Sequence, residues 1–291
     1  MIKKKLYAWS CDYSKETGEG NLARLFAKRL NKKYQLNVIT PKAISLNKLL
    51  NYRYFSPFVG LVFCWYYYLL KKNISYLNYL PMWNFILFLL LPPTTILGPI
   101  TGGSHYKSQN LIIRKYLFPI FYKISEIALF FRNCEIIFST DLLKKYITKK
   151  ILKKSKFNYI FEAYNKKKIK KKNIDLVLYY RKHKNKEEFF PKNLISELIK
   201  KKYVIHAIGD NLKIKGVKNH GKVNHNKINK ILSRSKFSIA SGESLYTFFI
   251  FDCINNNVKI FVDKKNEQKI FKFKDSFIKL NFNIKNISSY F

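Results

Sequence analysis

The chain has 291 residues, 47% of them hydrophobic, which is apolar mass enough for one large domain or two modest ones. Lys and Arg number 56 against 17 Asp and Glu, a formal net charge of +39 that draws nucleic acid, anionic lipid or phosphorylated ligands. Lys, Asn, Ile, Phe and Tyr are enriched together while Ala and Gly are scarce, so most lysines read as compositional drift onto solvated faces, with a functional basic surface as the alternative.

Cys11, Cys64, Cys134 and Cys253 are widely spaced with no Cys-x-x-Cys pair, which suggests neither a zinc knuckle nor a disulfide framework and fits reduced thiols in a cytoplasmic protein. The histidines show no ligand spacing, and no metal is expected. Residues Met1–Lys5 are basic, but the apolar stretch behind them ends by Asp12, too short for a secretory signal. The apolar runs Pro57–Leu70 and Trp83–Ile100 are, respectively, too short to span a bilayer and broken by Asn84 and Pro92-Pro93. Both read as buried elements of an α/β core.

Lys4–Ser10 is a strand, followed by a polar turn, Asp12–Gly20, that holds Gly18 and Gly20. Leu22, Leu25, Phe26 and Leu30 then share one face of a helix over Asn21–Lys32, so the chain opens like a βαβ unit. Next come a strand at Leu36–Thr40 and an aromatic-rich helix at Phe55–Lys71. Strands at Ile74–Tyr79 and Thr94–Ile100 flank a helix at Met82–Leu91, and the second runs into the turn Gly98-Pro-Ile-Thr-Gly102-Gly103. A long helix covers about Ser108–Arg132, a strand Cys134–Ser139, and a helix Asp141–Lys150 capped by Thr140 or Asp141. Lys166–Lys172 is nearly pure lysine, a solvated connector, and the domain boundary is set just before it, giving domains 1–165 and 166–291.

The rhythm then restarts. Strands are expected at Asp175–Tyr180, Tyr203–Ile208, Phe237–Ala240 and Val258–Val262, and helices at Pro191–Lys201, Asn226–Ser235 and Tyr246–Ile254. Strand–helix alternation indicates parallel sheets, and two such series indicate two α/β domains.

Ligands of open parallel sheets sit beyond the carboxyl ends of the strands. Arg181 and Lys186 follow the first strand of the second half, a fork and a point charge able to clamp a diphosphate. Gly209-Asp210 follows the next strand, where a glycine admits close approach to the backbone. Gly242-Glu243 follows the strand at 237–240, at what reads as a helix N-terminus, and Asp252 lies nine residues further along. Glu243 suits sugar hydroxyls and Asp252 a ribose diol; a helix-start carboxylate and an internal partner are the plain alternatives.

The run Ser238-Ile-Ala-Ser-Gly-Glu243 through Asp252 to Ile260 resembles the Glu-x7-Glu region of retaining GT-B glycosyltransferases, with one residue more between the acids and Asp in place of the second Glu. Arg181-x4-Lys186 resembles the Arg-x4-Lys diphosphate clamp of that family, and Gly209-Asp210 its Gly-Asp-Gly strand end. Gly18 and Gly20 resemble its first glycine turn, and Gly98–Gly103 a glycine-rich strand end of the acceptor side. Ser244, Leu245 and Tyr246 stand where the family carries glycines.

The resemblance implies two Rossmann-like domains with a cleft between them, acceptor side first and nucleotide-sugar side second. It implies that Arg181 and Lys186 neutralise the leaving nucleoside diphosphate without a metal, and that Glu243 holds the donor sugar. Gly209, Asp210, Gly242, Ser244 and Asp252 would complete the donor site. Gly18, Gly20, Gly102 and Gly103 would let donor and acceptor approach the backbone, with His105 beside the second turn. The nucleotide sugar is then a substrate rather than a cofactor, and the acceptor a glycan or lipid-linked glycan of cell-surface polysaccharide or lipopolysaccharide.

Tyr106–Arg132 mixes basic with large apolar residues, which suggests peripheral contact with an anionic surface on the inner face of the cytoplasmic membrane. An ordinary buried helix is the other reading. Basic residues are spread over the whole chain and the RNA-binding motifs are absent, so no specific nucleic acid is expected. A basic nucleic-acid binder and a non-catalytic GT-B relative remain the rival readings.

Overall fold

The computed structural model describes the whole chain except residues 1–2, 16, 42–51, 79, 102–111, 133, 140–142, 158–170, 183–186, 188–189, 241–244, 267–269 and 271–272, and only the backbone at 52–54, 112–115 and 145. The chain divides into two units, Met1–Ile160 and Phe161–Phe291.

In the first unit, strand Lys4–Trp9 (β1) is followed by helix Gly18–Leu30 (α1), strand Tyr34–Ile39 (β2) and helix Tyr52–Leu69 (α2). Asn73–Tyr76 (β3) and Leu80–Pro81 (β4) precede the short helix Phe85–Leu90 (α3), and Ile96–Leu97 (β5) and Ile100–Thr101 (β6) precede the long helix Ile112–Phe130 (α4). Ile136–Phe138 (β7), helix Lys149–Lys154 (α5) and Ser155–Phe157 (β8) close the unit.

All pairings are parallel, in two four-stranded ladders ordered β2-β1-β3-β5 and β4-β6-β7-β8. The strand expected at Thr94–Ile100 is therefore two short ones. The break has a local cause. Pro99 has no N–H to give to a ladder, and a Cβ on Gly98 would lie 2.5 Å from the Asn78 carbonyl oxygen, so this chain crossing admits only glycine.

Leu61 and Cys64 of α2, Leu87 and Phe88 of α3, and Tyr122 and Leu129 of α4 enter one core with Ile74, Tyr76 and Leu97 of the strands. By the right-handed rule for parallel crossovers, these three helices share one face of the strands and α1 takes the other. The runs Pro57–Leu70 and Trp83–Ile100 are thus core elements on one side only: Val62 and Leu69 are 70% and 74% exposed.

Two further expectations give way. The helix expected at Asp141–Lys150 is a single 3₁₀ turn, Lys144–Tyr146, then α5; Thr140 and Asp141 lie outside the described residues. The Thr148 N–H goes to Glu126 Oε1 at 2.5 Å, which fixes Thr148 in an extended conformation where a helix has to restart. Burial raises the Glu126 carboxyl, but the hydrogen bonds from Lys123 and Thr148 outweigh it and hold the group below its ordinary value.

Arg132 is also not where the membrane reading of Tyr106–Arg132 needs it. It is buried, and its guanidinium donates to the carbonyls of Pro92, Phe88 and Leu91 at 2.7 Å each. The last carbonyls of a helix have no partner within it. One arginine thus closes the C-terminus of α3 and fastens it to the end of α4.

In the second unit, Ile174–Tyr180 (β9), helix Lys192–Lys200 (α6), Ile205–Gly209 (β10), Lys218–Asn219 (β11) and helix His225–Leu232 (α7) come first. Ser235–Ile239 (β12), helix Phe248–Asn255 (α8), Lys259–Asp263 (β13), Phe277–Leu280 (β14) and helix Ile284–Ser288 (α9) follow. The six strands form one parallel sheet ordered β11-β10-β9-β12-β13-β14. This is the doubly wound order, in which the chain reverses direction across the sheet beside its first strand. Leu176, Val177 and Leu178 of β9 are all buried, as an interior parallel strand covered on both faces requires.

Arg132→Ala removes the side-chain donor from three buried carbonyls, of which Pro92 keeps the Thr95 N–H at 3.0 Å. It is expected to lower the unfolding free energy by about 3 kcal/mol. Urea unfolding measures this, and an unchanged midpoint would show that α3 is closed by other means.

Candidate functional site

The strand order of the second unit reverses between β9 and β12, the place where open parallel sheets bind ligands beyond the carboxyl ends of their strands. The loops that leave those two strands decide what that place can hold.

After β9 come Arg181 and Lys182, both exposed. Their emergence is fixed from the neighbouring strand. The Asp210 N–H donates to the Tyr180 carbonyl at 2.9 Å, and Asp210 Oδ2 accepts the Lys182 N–H at 2.9 Å. Asp210 Oδ1 lies 3.4 Å from Lys222 Nζ. The Lys182 N–H, ahead of the Lys222 and Arg181 charges, holds the Asp210 carboxyl below its ordinary value. Asp210 thus spends one oxygen on the backbone of the loop that carries Arg181.

Gly209 makes this knot possible. Its φ is +107°, and a Cβ there would lie 2.2 Å from the Tyr180 carbonyl oxygen. The glycine at this strand end is needed by the neighbouring strand itself, whatever approaches from outside.

The loop after β9 is tied again further on. The Tyr180 hydroxyl donates to Glu187 Oε1 at 2.5 Å, and Lys192 Nζ lies 3.2 Å from the same oxygen. The Glu187 hydrogen bond pushes the Tyr180 phenol up to about 12 and holds the Glu187 carboxyl down. Lys186 lies between these anchors, outside the described residues.

After β12, Gly242, Glu243 and Ser244 also lie outside the described residues. The helix expected at Tyr246–Ile254 starts two residues later, at Phe248. Thr247 is its N-cap, with Oγ1 accepting the Ile250 N–H at 3.3 Å. Leu245 and Tyr246 are buried, so the chain dips into the core before the helix begins. This is why apolar residues stand where the family pattern has glycines.

Asp252 sits in the second turn of α8, with Oδ2 at 3.6 Å from His225 Nδ1. His225 is the first residue of α7, capped by Asn224, whose Oδ1 accepts the Lys227 N–H at 3.0 Å. The two helices are tied a second time by Asn256 Nδ2, donating to Asn229 Oδ1 at 2.9 Å. Sequence reasoning missed His225 because its partner is 27 residues away on another helix. Tyr179 was missed too. It is 48% exposed, and its ring stacks on Phe249 with centroids 5.4 Å apart, bridging β9 and α8 across the switch point.

In the first unit, Gly18 and Gly20 lie inside the first turn of α1 rather than in a turn before it. Thr17 caps that helix through the Gly20 N–H at 2.9 Å. A Cβ on Gly20 would lie 2.4 Å from the Ser14 carbonyl oxygen, so this glycine seats the loop after β1, while Gly18 has open space around it. Gly102, Gly103 and His105 lie outside the described residues. No group of three or more His, Cys, Asp or Glu side chains among the described residues is placed to hold a metal ion.

No family model and no curated protein matches the chain. Solved structures do. A protein described as a UDP-N-acetylglucosamine 2-epimerase from Listeria monocytogenes is similar over 99% of this chain and 87% of its own, with a TM-score of 0.51 at 7% identity. TarM is similar over 79% of this chain, which spans 50% of TarM, with a TM-score of 0.50 at 12% identity. At such identities the likeness bears on fold alone, and that fold is the pair of Rossmann-like domains known as GT-B.

Gly209→Ala is expected to cost at least about 3 kcal/mol, because left-handed backbone and a blocked Cβ act together. A urea midpoint within error of wild type would show that β9 and β10 can part without loss. A second expectation concerns His206 on β10, whose Nδ1 lies 3.0 Å from His220 Nε2. Burial, then the His220, Lys218 and Arg234 charges, push His206 from 6.5 down to about 4. The folded state therefore holds it neutral while the unfolded chain takes up the proton. Its contribution to stability is complete above about pH 6.5 and is lost as the pH falls towards 4. His206→Gln should flatten the fall in urea midpoint between about pH 6.5 and 5; an unchanged slope overturns this.

Proposed function

We propose that the chain is a metal-independent glycosyltransferase. It moves a sugar from a nucleotide-sugar donor to a glycan or lipid-linked acceptor on the cytoplasmic side of a membrane, in the building of cell-surface polysaccharide or lipopolysaccharide. The observation that carries this reading is a cation at a switch point. Arg181 leaves β9 where the strand order reverses, and the Asp210–Lys182 hydrogen bond sets the start of its loop.

In such a transfer the bond between the anomeric carbon and the diphosphate oxygen breaks, and its electron pair leaves with the diphosphate. The acceptor hydroxyl bonds to the anomeric carbon, and its proton passes to the departing diphosphate, directly or through solvent. Negative charge grows on the departing diphosphate, and Arg181, with Lys186, meets it as a fixed positive field. Those two cations take the place a metal would otherwise have. Glu243 receives the hydroxyls of the donor sugar, with Gly242 and Ser244 beside it. Asp252, held by His225, receives the ribose diol. The first unit supplies the acceptor side, with Gly102, Gly103 and His105 in the segment that follows β6 in sequence.

The non-catalytic alternative shares the donor site and differs only in turnover. A thermal-shift panel of UDP-, GDP-, ADP- and CMP-sugars separates the possibilities. At about one hundred times its Kd, a ligand stabilises by about 2.7 kcal/mol, enough to raise Tm by several degrees. At least one nucleotide sugar should do so for wild type and much less for Arg181→Ala. If none does, the donor site is wrongly placed. If one binds but neither transfer nor hydrolysis occurs, the catalytic reading fails and the non-catalytic one stands.

A further inference from the structure

Among the described residues, the second unit exposes only three large apolar side chains, Tyr179, Val204 and Tyr290. Nearly all the others lie on α2, α3 and α4 of the first unit. These helices bury one side against the strands, so their outer sides should be polar. They are not. Val62, Trp65, Tyr66 and Leu69 form a stripe along α2, and with Leu89 and Leu90 of α3 they line a continuous apolar groove. Trp65 is held in place by its Nε1–H bond to the Leu90 carbonyl at 2.8 Å. Beyond α3 the surface continues onto α4, where Trp83 stacks on Phe118 with centroids 5.6 Å apart and Ile120 is 54% exposed.

We propose that this α2–α3–α4 face rests on the surface of an anionic lipid bilayer. The charge around it decides between a bilayer and a second copy of the chain. From residue 52 to residue 132 the sequence holds one carboxylate, Glu126, and it is buried against Lys123. Lys71 and Lys72, at the end of the α2 stripe, are exposed. Nothing acidic on the face repels lipid phosphates, whereas two chains of net charge +39 repel one another. Trp and Tyr suit the boundary between headgroup and acyl chain, and an apolar stripe beside basic side chains is what a surface-lying helix presents. Each helix is fastened to the strands through its other side, so the face lies on the bilayer rather than threading it. Membrane contact through this face involves the first unit alone and stands or falls apart from the donor site.

The test is co-sedimentation of the full chain with vesicles of phosphatidylcholine, alone or mixed with phosphatidylglycerol. Wild type should bind the mixed vesicles more tightly. Val62→Ser, Leu69→Ser and Leu90→Ser together should lower partitioning about tenfold or more, since these side chains are exposed and the core is untouched. Lys71→Gln with Lys72→Gln should reduce the preference for phosphatidylglycerol. Three results overturn the proposal: no binding at low salt, binding indifferent to the triple substitution, or a wild-type dimer in sedimentation equilibrium that the triple substitution dissolves. Running the nucleotide-sugar panel on the triple variant keeps the two readings distinguishable. A triple variant that keeps the thermal shift and loses vesicle binding supports this face, and one that keeps both overturns it, whether or not wild type binds a nucleotide sugar.

Discussion

A parallel sheet leaves a crevice only where its strand order reverses, and in the second unit that place is fixed by β9. Everything offered to a ligand there hangs on how the ends of β9 and β10 are joined. Gly209 brings its backbone against the Tyr180 carbonyl, closer than any side chain would permit. Asp210 then turns back to hold the Lys182 N–H. One residue without a Cβ and one short carboxylate set the starting point of the loop that carries Arg181. A longer acid at 210 would push that loop away from the sheet, and a larger residue at 209 would part the strands.

The sequence and the fold agree where local pattern and tertiary demand coincide. The strands of the second unit read clearly because β9 is buried on both faces and its apolar run is unbroken. The helices α6 and α7 read clearly because one side is apolar and the other is not. The placement of Arg181, Gly209 and Asp210 at strand ends was legible because the ends of those strands were legible. The start of α8 was not. Its position depends on Leu245 and Tyr246 being drawn into the core, a choice made by distant neighbours and invisible in a run that already looks helical. His225 was hidden for a related reason, since its link to Asp252 exists only once two helices lie side by side.

In the first unit the elements were read correctly for the most part, and the reading fell short in a different way. Hydrophobic content can show that a segment has an apolar side to bury, but α2 is apolar nearly all round, and such a helix reads as core. The strands bury Leu61 and Cys64 and leave Val62, Trp65 and Leu69 outside. Composition alone cannot separate a helix sunk in a core from one laid between a sheet and something else. Arg132 shows the reverse error. A basic residue at the end of an amphipathic stretch looks solvent-bound, yet here it is the side-chain donor to the Phe88 and Leu91 carbonyls at the end of α3 and to Pro92 just beyond.

These two cases bear on how the charge of +39 should be weighed. A total says little about any one cation, because a surface lysine in water interacts weakly with anything a Debye length away. What distinguishes a cation that does chemistry is that the fold determines where it points. Lys123 neutralises a buried glutamate and Arg132 closes a helix, so the fold already uses both charges. Arg181 and Lys182 differ because the fixed part of their loop is its backbone, and the side chains are carried outwards at the strand-order reversal. Lys71 and Lys72 differ because they border an apolar stripe rather than a polar one. In a chain this basic, the informative cations are those whose surroundings account for their exposure: a strand-order reversal for Arg181, an apolar stripe for Lys71 and Lys72.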